Sequence, residues 1–333
     1  MEKILFLATV EADGTLAKPA LEVLTAAKTL GGELAVGLVG GTVDAAAIGN
    51  CGAAKIYTVA GDAFAQPRYA SDAAAFEAIC KASGATVVLA PATSRASRAL
   101  PGVAQRLGGR VDTQLTGLAA NGGALAVTRW FYRQRMEGTL SRTQRPWCLT
   151  VSPGCFEPFA AAPGAAPVEA LNVDVASKTT ITGLESPSAD AQTIRPDADV
   201  LFVAGAGWTK KQADGQPHIK DAEQHILGFI NTAKASLGSS KSLVDMSGEG
   251  QDVLTFMTHL HQVGQTGATP RHPKGLATCC HGEEPHVVGW RFIKERRAVN
   301  LDAGCGWAQG KADVLYVADA FKVMAKVNEM LGK

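Results

Sequence analysis

The chain is short of aromatic residues, of net charge and of long apolar runs. Only 6% of its 333 residues are aromatic, and 32 Lys and Arg residues nearly balance 31 Asp and Glu residues. The resulting net charge of +1 argues against general attraction to nucleic acid or to an anionic membrane surface. The first apolar segment is too short to cross a membrane and is followed at once by Glu11 and Asp13, so it predicts a strand rather than a signal peptide.

The cysteines show no disulfide framework. Seven of them, an odd number, are scattered along a chain that is long enough to bury a core. We therefore expect a reducing, cytoplasmic compartment. Cys279 and Cys280 with His281 and His286 suggest a metal site as an alternative, but zinc sites use cysteines separated by about two to four residues, and adjacent cysteines are poor joint ligands.

Two nucleotide-binding motifs are missing. There is no P-loop, and the motif G-x-G-x-x-G is incomplete because Lys210 occupies the third glycine position after Gly205 and Gly207. Hydride chemistry on a pyridine nucleotide therefore has little support. No Ser/His/Asp or Cys/His arrangement of a nucleophile is evident either, so the sequence does not predict a substrate-converting enzyme.

Residues 1–165 alternate between strands and helices. Short strands that are apolar on both faces, alternating with helices, predict a parallel sheet that is covered on both sides. The predicted strands are Ile4–Val10, Leu34–Val39, Ile56–Val59, Thr86–Ala90, Ala124–Thr128 and Cys148–Ser152, and the predicted helices begin at Pro19 and span about Asp72–Lys81 and Arg95–Leu107.

A Pro- and Ala-rich stretch over about residues 158–197 predicts an extended connection to a second α/β domain. That domain begins with the strand Val200–Ala204, which runs into glycines, as in a doubly wound sheet whose ligands lie outside the carboxyl ends of the strands. All seven histidines follow it, so we expect the chemistry there. The remaining predicted elements are strands at Val168–Val173 and Thr179–Leu184 and helices at Asp221–Ala235, about Asp252–Leu260 and Ala318–Leu331.

Basic and aromatic residues alternate over Arg129–Arg135, with Arg142 and Arg145 beyond. This pattern is found in single-strand nucleic-acid binding, but the net charge does not support that interpretation. A β-hairpin whose arginines lay their stems along apolar surface, and a charged surface that meets a partner subunit, are the two other interpretations.

The stretch from Gln262 to Gly267 has two glycines that bracket Gln265 and Thr266. Glycines let a backbone approach a flat polar ligand closely, while the amide and hydroxyl groups bond its edge. Such a motif is common on its own. It becomes specific because other short segments of the chain occur in the same order along the sequence as in one known family.

Those segments are Pro91-Ala92-Thr93 with Arg98, Gly238–Asp245, Val263–Gly267, His281–His286, Asn300–Asp302 and Ala312-Asp313. They are similar to Pro-Ala-Thr-x-x-Gly-Arg, Gly-Ala-Ser-Arg-x-x-Val-Asp, Val-Gly-Gln-Thr-Gly, Ser-Gly-Ala-Ile-Gln-His, Asn-Lys-Asp and Ala-Asp. In this order and spacing the chain resembles the alpha subunit of the electron-transfer flavoproteins, the FixB type, over nearly its whole length.

The resemblance implies two α/β domains, of which the C-terminal one is a doubly wound parallel sheet of flavin-binding type. Residues 1–195 would form a scaffold and partner-binding domain, and residues 196–333 would bind FAD. The implied partners are a beta subunit, an upstream dehydrogenase and a downstream quinone oxidoreductase. The chain would be an electron carrier, with no nucleic-acid partner and no membrane insertion.

The resemblance also implies roles for single residues. Thr266 would donate to flavin N5, His286 would place a donor or a positive charge near N1 and O2, and Asn300 and Asp313 would hold the adenosine end. Ser240 and the 263–266 turn suit the ribityl and pyrophosphate groups. The candidate cofactor-binding residues are Gly207, Trp208, Ser240, Lys241, Val263, Gly264, Gln265, Thr266, His281, Gly282, Glu283, Glu284, Pro285, His286, Asn300, Asp302 and Asp313.

The chain departs from the family pattern in ways that keep alternatives open. Where the family has Gly-Gly-Arg-Gly, residues 205–208 carry no Arg, and Lys241 replaces the Arg of the Ser-Arg pair, which loses its planar fork. His281 stands where Ser is usual. A flavin-free docking protein of the same fold, and a nucleotide-binding hydrolase or sensor, are the competing hypotheses. Trp208 and His286 are either core residues or cofactor contacts.

Overall fold

The protein is represented by a computed structural model, which describes residues 2–121, 124–132, 136–162, 164, 166–185, 194–195, 197–246, 253–264, 267–268, 270–278, 292–304 and 312–332. The chain divides into two compact units, Met1–Leu184 and Glu185–Lys333. The division falls within the Pro- and Ala-rich connection. No helix among the described residues is both long and apolar enough to span a lipid bilayer.

In the described part of the first unit, nine strands form one mixed sheet in the order β7-β6-β5-β8-β4-β1-β2-β3-β9. The strands are β1 (Lys3–Thr9), β2 (Glu33–Gly40), β3 (Lys55–Ala60), β4 (Val87–Pro91), β5 (Arg110–Asn121), β6 (Ala124–Phe131), β7 (Met136–Leu140), β8 (Trp147–Val151) and β9 (Val168–Ala170). The helices are α1 (Lys18–Thr29), α2 (Asp62–Ala65), α3 (Tyr69–Ser83) and α4 (Ser94–Arg106). The predicted parallel sheet is confirmed for β8-β4-β1-β2-β3-β9, and β6 and β7 pair antiparallel, as the hairpin interpretation requires.

The two faces of this sheet have separate cores. Alternate residues of β1 point to opposite sides, as a strand requires. Phe6 packs with the α1 residue Leu24 on one side, and Leu7 packs with Phe76 of α3 and Leu100 of α4 on the other. This is why the strand is apolar at every position from Ile4 to Ala8 rather than at every second one.

Two buried aspartates of the first unit are held by arginines of the same unit. Asp72, with no exposed side-chain surface, accepts from Arg95 Nη2 at 2.7 Å, and Arg98 lies 3.5 Å away. Asp112 accepts from Trp147 Nε1 at 2.9 Å and from Arg142 Nη2 at 3.0 Å. Such pairs are stable only because hydrogen bonds replace the lost hydration.

The second unit has one parallel sheet in its described part, in the order β11-β10-β12-β13-β14. Its strands are β10 (Val200–Ala204), β11 (Ser236–Ser239), β12 (Lys274–Thr278), β13 (Glu295–Asn300) and β14 (Val314–Val317). The helices among its described residues are α5 (Ile219–Ala233), α6 (Lys241–Asp245) and α7 (Ala320–Leu331). The strand order reverses direction between β10 and β12, which confirms the predicted doubly wound sheet and marks its switch point.

Two predicted elements are wrong in their described parts. From residue 253 to 258 there is no helix. Instead, Glu223 Oε1 accepts from both the backbone and the hydroxyl of Thr255, at 2.7 and 2.6 Å, and Thr258 caps a short 3₁₀ turn at His259–His261. The β-branched residues of this stretch have weak helix propensity, so these local bonds prevail.

The strand predicted at Thr179–Leu184 is also absent. The carbonyl of Thr179 accepts from Arg68 Nη1 at 3.3 Å, and the backbone nitrogen of Thr179 donates to Ser177 Oγ at 3.2 Å. These side chains occupy the backbone groups that would otherwise form hydrogen bonds with a neighbouring strand. The strand predicted at Val168–Val173 exists but is shorter, since β9 ends at Ala170.

Candidate functional site

The five described strands of the second sheet run parallel, so their carboxyl ends share one edge, and polar residues such as Ser240, Asn300 and Asp319 lie there. The edge is centred on the switch point, where the backbone nitrogen of Gly205, just past β10, donates to the Thr278 carbonyl at the end of β12 at 2.8 Å. In an open parallel sheet the crevice at such a point is where ligands bind. We therefore take this carboxyl edge as the candidate site.

After β10 the chain makes a 3₁₀ turn at Ala206–Thr209. Gly207 lies in this turn, and its carbonyl accepts from Gln212 Nε2 at 3.1 Å, which closes the loop onto itself. Trp208 is fully buried, its ring centroid lies 4.6 Å from that of Phe321, and its Nε1 donates to Thr278 Oγ1 at 2.8 Å. The structure thus places Trp208 in the core beneath the edge.

After β11 come Ser240 and Lys241. The Ser240 backbone nitrogen donates to the Ala204 carbonyl at 2.9 Å, and its Oγ accepts from Leu243 N at 3.3 Å as the N-cap of α6. Lys241 donates to Asp245, which also bonds His259 Nε2 at 2.9 Å. The pKa of Asp245 is lowered, first by Lys241 and then by His259, so the lysine charge is balanced within the chain.

The glycine-bracketed turn lies against the end of β11. Val263 N donates to the Ser239 carbonyl at 3.0 Å. Two further bonds of 2.8 Å close the turn, one from Ala268 N to Gln262 O and one from Gly264 N to Ala268 O. At Gly264 φ is +121°, a conformation that favours glycine. A Cβ on Gly267 would lie 2.1 Å from the Gln262 carbonyl oxygen, so this position requires glycine.

Asn300, the last residue of β13, is 2% exposed. Its Oδ1 accepts from Asp302 N at 3.2 Å, and its carbonyl accepts from Ala318 N at 3.1 Å. A small cleft opens beside it, which Gly207, Gln212 and Asp319 also line. The structure therefore brings Gly207 and Asn300 together from two distant parts of the sequence.

Asp319 lines that cleft although the sequence analysis did not select it. Its Oδ1 accepts from Phe321 N at 2.9 Å as the N-cap of α7. An Asp just before a helical run of apolar residues is an N-cap signal, and the start of a helix after a parallel strand lies at the carboxyl edge. That combination is the signal that finds Asp319.

Asp313 lies elsewhere. It precedes β14, at the amino edge of the sheet, and its carboxylate accepts from Arg296 N and Nη2 at 2.7 Å each. The Arg296 hydrogen bonds lower the pKa of Asp313. Asp302 follows β13 at the carboxyl edge, is exposed and accepts from Gly304 N at 2.7 Å.

Eight of the predicted residues lie outside the described residues: Gln265, Thr266, His281, Gly282, Glu283, Glu284, Pro285 and His286. The structure therefore brings to the carboxyl edge Gly207, Ser240, Lys241, Val263, Gly264, Asn300 and Asp302, and places Trp208 beneath it.

The groups at this edge fit FAD, the cofactor that the resemblance implies. FAD presents hydroxyl groups, a pyrophosphate and ring edges, all of which need hydrogen-bonding partners. The edge offers an amide at Asn300, a carboxylate at Asp319 and glycine turns that let the backbone approach. Among the described residues, Ser239 Oγ at the end of β11 is buried and has no hydrogen-bond partner, as is also true of Arg129 Nε and Asn328 Oδ1 elsewhere, so at this edge the hydroxyl is available to a ligand.

Comparison with known proteins points the same way. Among models of protein families, the electron transfer flavoprotein domain matches residues 4–176. A curated protein of Syntrophomonas wolfei, electron transfer flavoprotein subunit alpha, is 27% identical over 326 residues, which cover 96% of each chain. A protein of the same name from Pseudomonas aeruginosa is 26% identical over 321 residues, covering 95% of this chain and 96% of that protein.

Proposed function

The chain belongs to the electron transfer flavoprotein family, as an alpha subunit, and we propose that its second unit holds FAD and carries electrons with it. The chain is a flavoprotein subunit and an electron-transport protein. In the proposal it pairs with a beta subunit, accepts electrons from dehydrogenases and passes them to a quinone-linked acceptor. Converting a substrate of its own is not part of this function.

One observation carries the proposal of the cofactor site. Segments far apart in sequence, at Gly207, Ser240, Val263-Gly264 and Asn300, meet along the carboxyl edge around the switch point of one parallel sheet. The segments at Ser240, Val263-Gly264 and Asn300 are among those on which the family resemblance depends, so the motif order and the fold support one site.

The residues at the edge have distinct tasks in this proposal. Bound FAD would supply one- and two-electron redox chemistry. Asp302 and Asp319 would accept from its sugar hydroxyls, the Asn300 amide would donate to them, and Ser240 with the 263–266 turn would hold the ribityl and pyrophosphate groups. Thr266 and His286 remain the groups proposed at the ring, and Gln265, His281 and the 282–285 segment are proposed beside them.

A second candidate, a flavin-free docking protein, rests on the charges at the edge. Lys241 stands where the family has Arg, and it is paired with Asp245. Gly207 lies in the turn where the family carries another Arg, so neither position offers a free guanidinium to the cofactor.

Visible absorbance of the chain purified with its beta subunit separates the two candidates. We expect flavin bands at a stoichiometry near one per alpha subunit that are bleached by stepwise dithionite reduction. The docking function is favoured if the complex is colourless and takes up no FAD on titration although calorimetry shows that it is folded.

A further inference from the structure

Trp208 occupies an unusual place for so large a side chain. It follows directly on Gly207, in a segment where the family pattern ends in Gly, and it is fully buried. Its ring packs against Phe321 at 4.6 Å between centroids, so one of its faces is covered by the start of α7. An indole that is enclosed in this way has no face left on which a flavin could stack.

The indole nitrogen links the two strands that flank the switch point. Trp208 Nε1 donates to Thr278 Oγ1 at 2.8 Å, and Thr278 Oγ1 donates to the Val203 carbonyl at 3.3 Å. The Gly205 nitrogen donates to the Thr278 carbonyl at 2.8 Å. Thr278, the last residue of β12, is thus tied to β10 and to the turn that follows it by three hydrogen bonds, all of them buried.

From these contacts we infer that Trp208 is a positioning residue for the cofactor, which acts through Thr278. The bond fixes the end of β12 relative to the turn that contains Gly207, and Gly207 lines the cleft beside Asn300 and Asp319. A hydrogen bond in a buried, apolar setting holds its partners to one geometry, because no water competes for them. The inference rests on the proposed function, since it names what Trp208 does for a flavin bound at this edge.

The test uses Trp208→Phe and Thr278→Val in the complex with the beta subunit. Phe keeps an aromatic ring against Phe321 and removes the N–H, whereas Val keeps the shape of Thr and removes the hydroxyl. We expect either variant to raise the FAD dissociation constant about fivefold to tenfold, and to shift the flavin midpoint potential. The double variant should be no worse than the weaker-binding single variant, because both remove the same bond.

Thr278→Ser supplies the matched control. It retains the hydroxyl, so we expect wild-type FAD affinity and midpoint potential even if the lost methyl group lowers the thermal midpoint of the FAD-free protein. This rescue separates the hydrogen bond from general packing. If Trp208→Phe fails to fold, the comparison of Val with Ser at position 278 carries the test alone.

Three results overturn the inference. If Trp208→Phe and Thr278→Val lower the thermal midpoint but bind FAD like the wild type at an unchanged potential, the bond is structural only. If the losses in FAD affinity of the two variants add fully in the double variant, the residues act separately. If the wild-type complex binds no FAD at all, the proposed function itself fails, and this inference fails with it.

Discussion

The two units treat their buried polar groups differently. In the first, Asp72 and Asp112 are buried carboxylates whose oxygens are engaged by Arg95, Arg142 and Trp147 of the same unit. In the second, the carboxyl edge combines an unpartnered buried hydroxyl at Ser239 with the cleft beside Asn300 and Asp319.

This difference supports the proposal that the first unit is a scaffold and that the second unit holds the ligand. Buried polar groups are normally satisfied. The two buried aspartates of the first unit are satisfied by side chains of that unit, although Arg129 Nε there is buried without a hydrogen-bond partner. The family match over residues 4–176 lies in the first unit, although the groups suited to FAD lie in the second. In the proposed function, the part of the chain that matches the family model and the part that binds FAD are therefore different.

The largest expected effect comes from breaking the ion pair in the scaffold. Arg95→Met leaves Asp72 buried with only Arg98, at 3.5 Å, to balance it. We expect the unfolding free energy of the first unit to fall by about 3 kcal/mol, because removing one partner of a buried pair strands the other charge. Urea unfolding of the whole chain, followed by tryptophan fluorescence, measures it.

The control removes both charges. Asp72→Asn together with Arg95→Met should recover most of the lost stability, since no charge is then stranded. In both variants FAD uptake at low temperature should match the wild type. If a variant of the first unit folds but has lost its FAD affinity, the proposal that FAD binding depends on the second unit alone is contradicted.

The dependence of the unfolding free energy on acidic pH tests a second carboxylate of the first unit, that of Asp112. Burial by itself would raise the pKa of Asp112, but hydrogen bonds from Arg142 and Trp147 outweigh it, so the pKa is lowered. Its contribution is therefore complete above the unfolded value of about 3.9 and is lost as pH falls through the folded value.

Asp112→Asn should accordingly cost about 1–2 kcal/mol near neutral pH, since the charged hydrogen bond from Arg142 is lost while the amide oxygen still accepts from Trp147. The difference from wild type should stay constant down to about pH 5 and shrink below about pH 4. Denaturant midpoints across this range supply the measurement. A difference that grows on acidification would contradict the assignment.

Two aspartates of the second unit form a matched pair. Asp319→Asn keeps an N-cap for α7 but removes the charge at the cleft, and Asp313→Asn removes the same charge at the opposite edge. We expect FAD affinity to fall about tenfold, or about 1.4 kcal/mol, in the first variant and to change less than about twofold in the second. Equal losses, or a larger loss at Asp313, would move the nucleotide away from the cleft.

The same pair shows what the sequence could and could not predict. The positions of most strands and helices and the doubly wound character of the second sheet follow from apolar periodicity and from the glycines that end the elements, and the prediction of β10 is correct to the residue. Ala312-Asp313 and Ala318-Asp319 are, however, the same dipeptide on either side of β14. Which of them reaches the carboxyl edge depends on the position and direction of β14, and the dipeptide itself carries no information about either.

A related limit explains Trp208 and the missing helix at residues 253–258. A large aromatic residue after a glycine turn is equally compatible with a cofactor contact and with a core position, and only the partner Thr278, seventy residues away, decides between them. Likewise, Glu223 fixes Thr255 across 32 residues of sequence. Tertiary hydrogen bonds of this kind override local propensity.

The smallest expected effect comes from comparing two serines of one strand, which is also the most direct comparison. Ser236 and Ser239 are the first and last residues of β11, and both are fully buried. Ser236 Oγ donates to Arg195 O at 2.9 Å and bonds His272 Nε2 at 2.8 Å, whereas Ser239 Oγ has no partner. In FAD-free protein, Ser239→Ala should raise the unfolding free energy by about 0.5–1 kcal/mol, and Ser236→Ala should lower it by about 1 kcal/mol. Thermal unfolding of the two variants would show shifts of opposite sign, and a loss of stability in Ser239→Ala would mean that its hydroxyl is satisfied without a ligand.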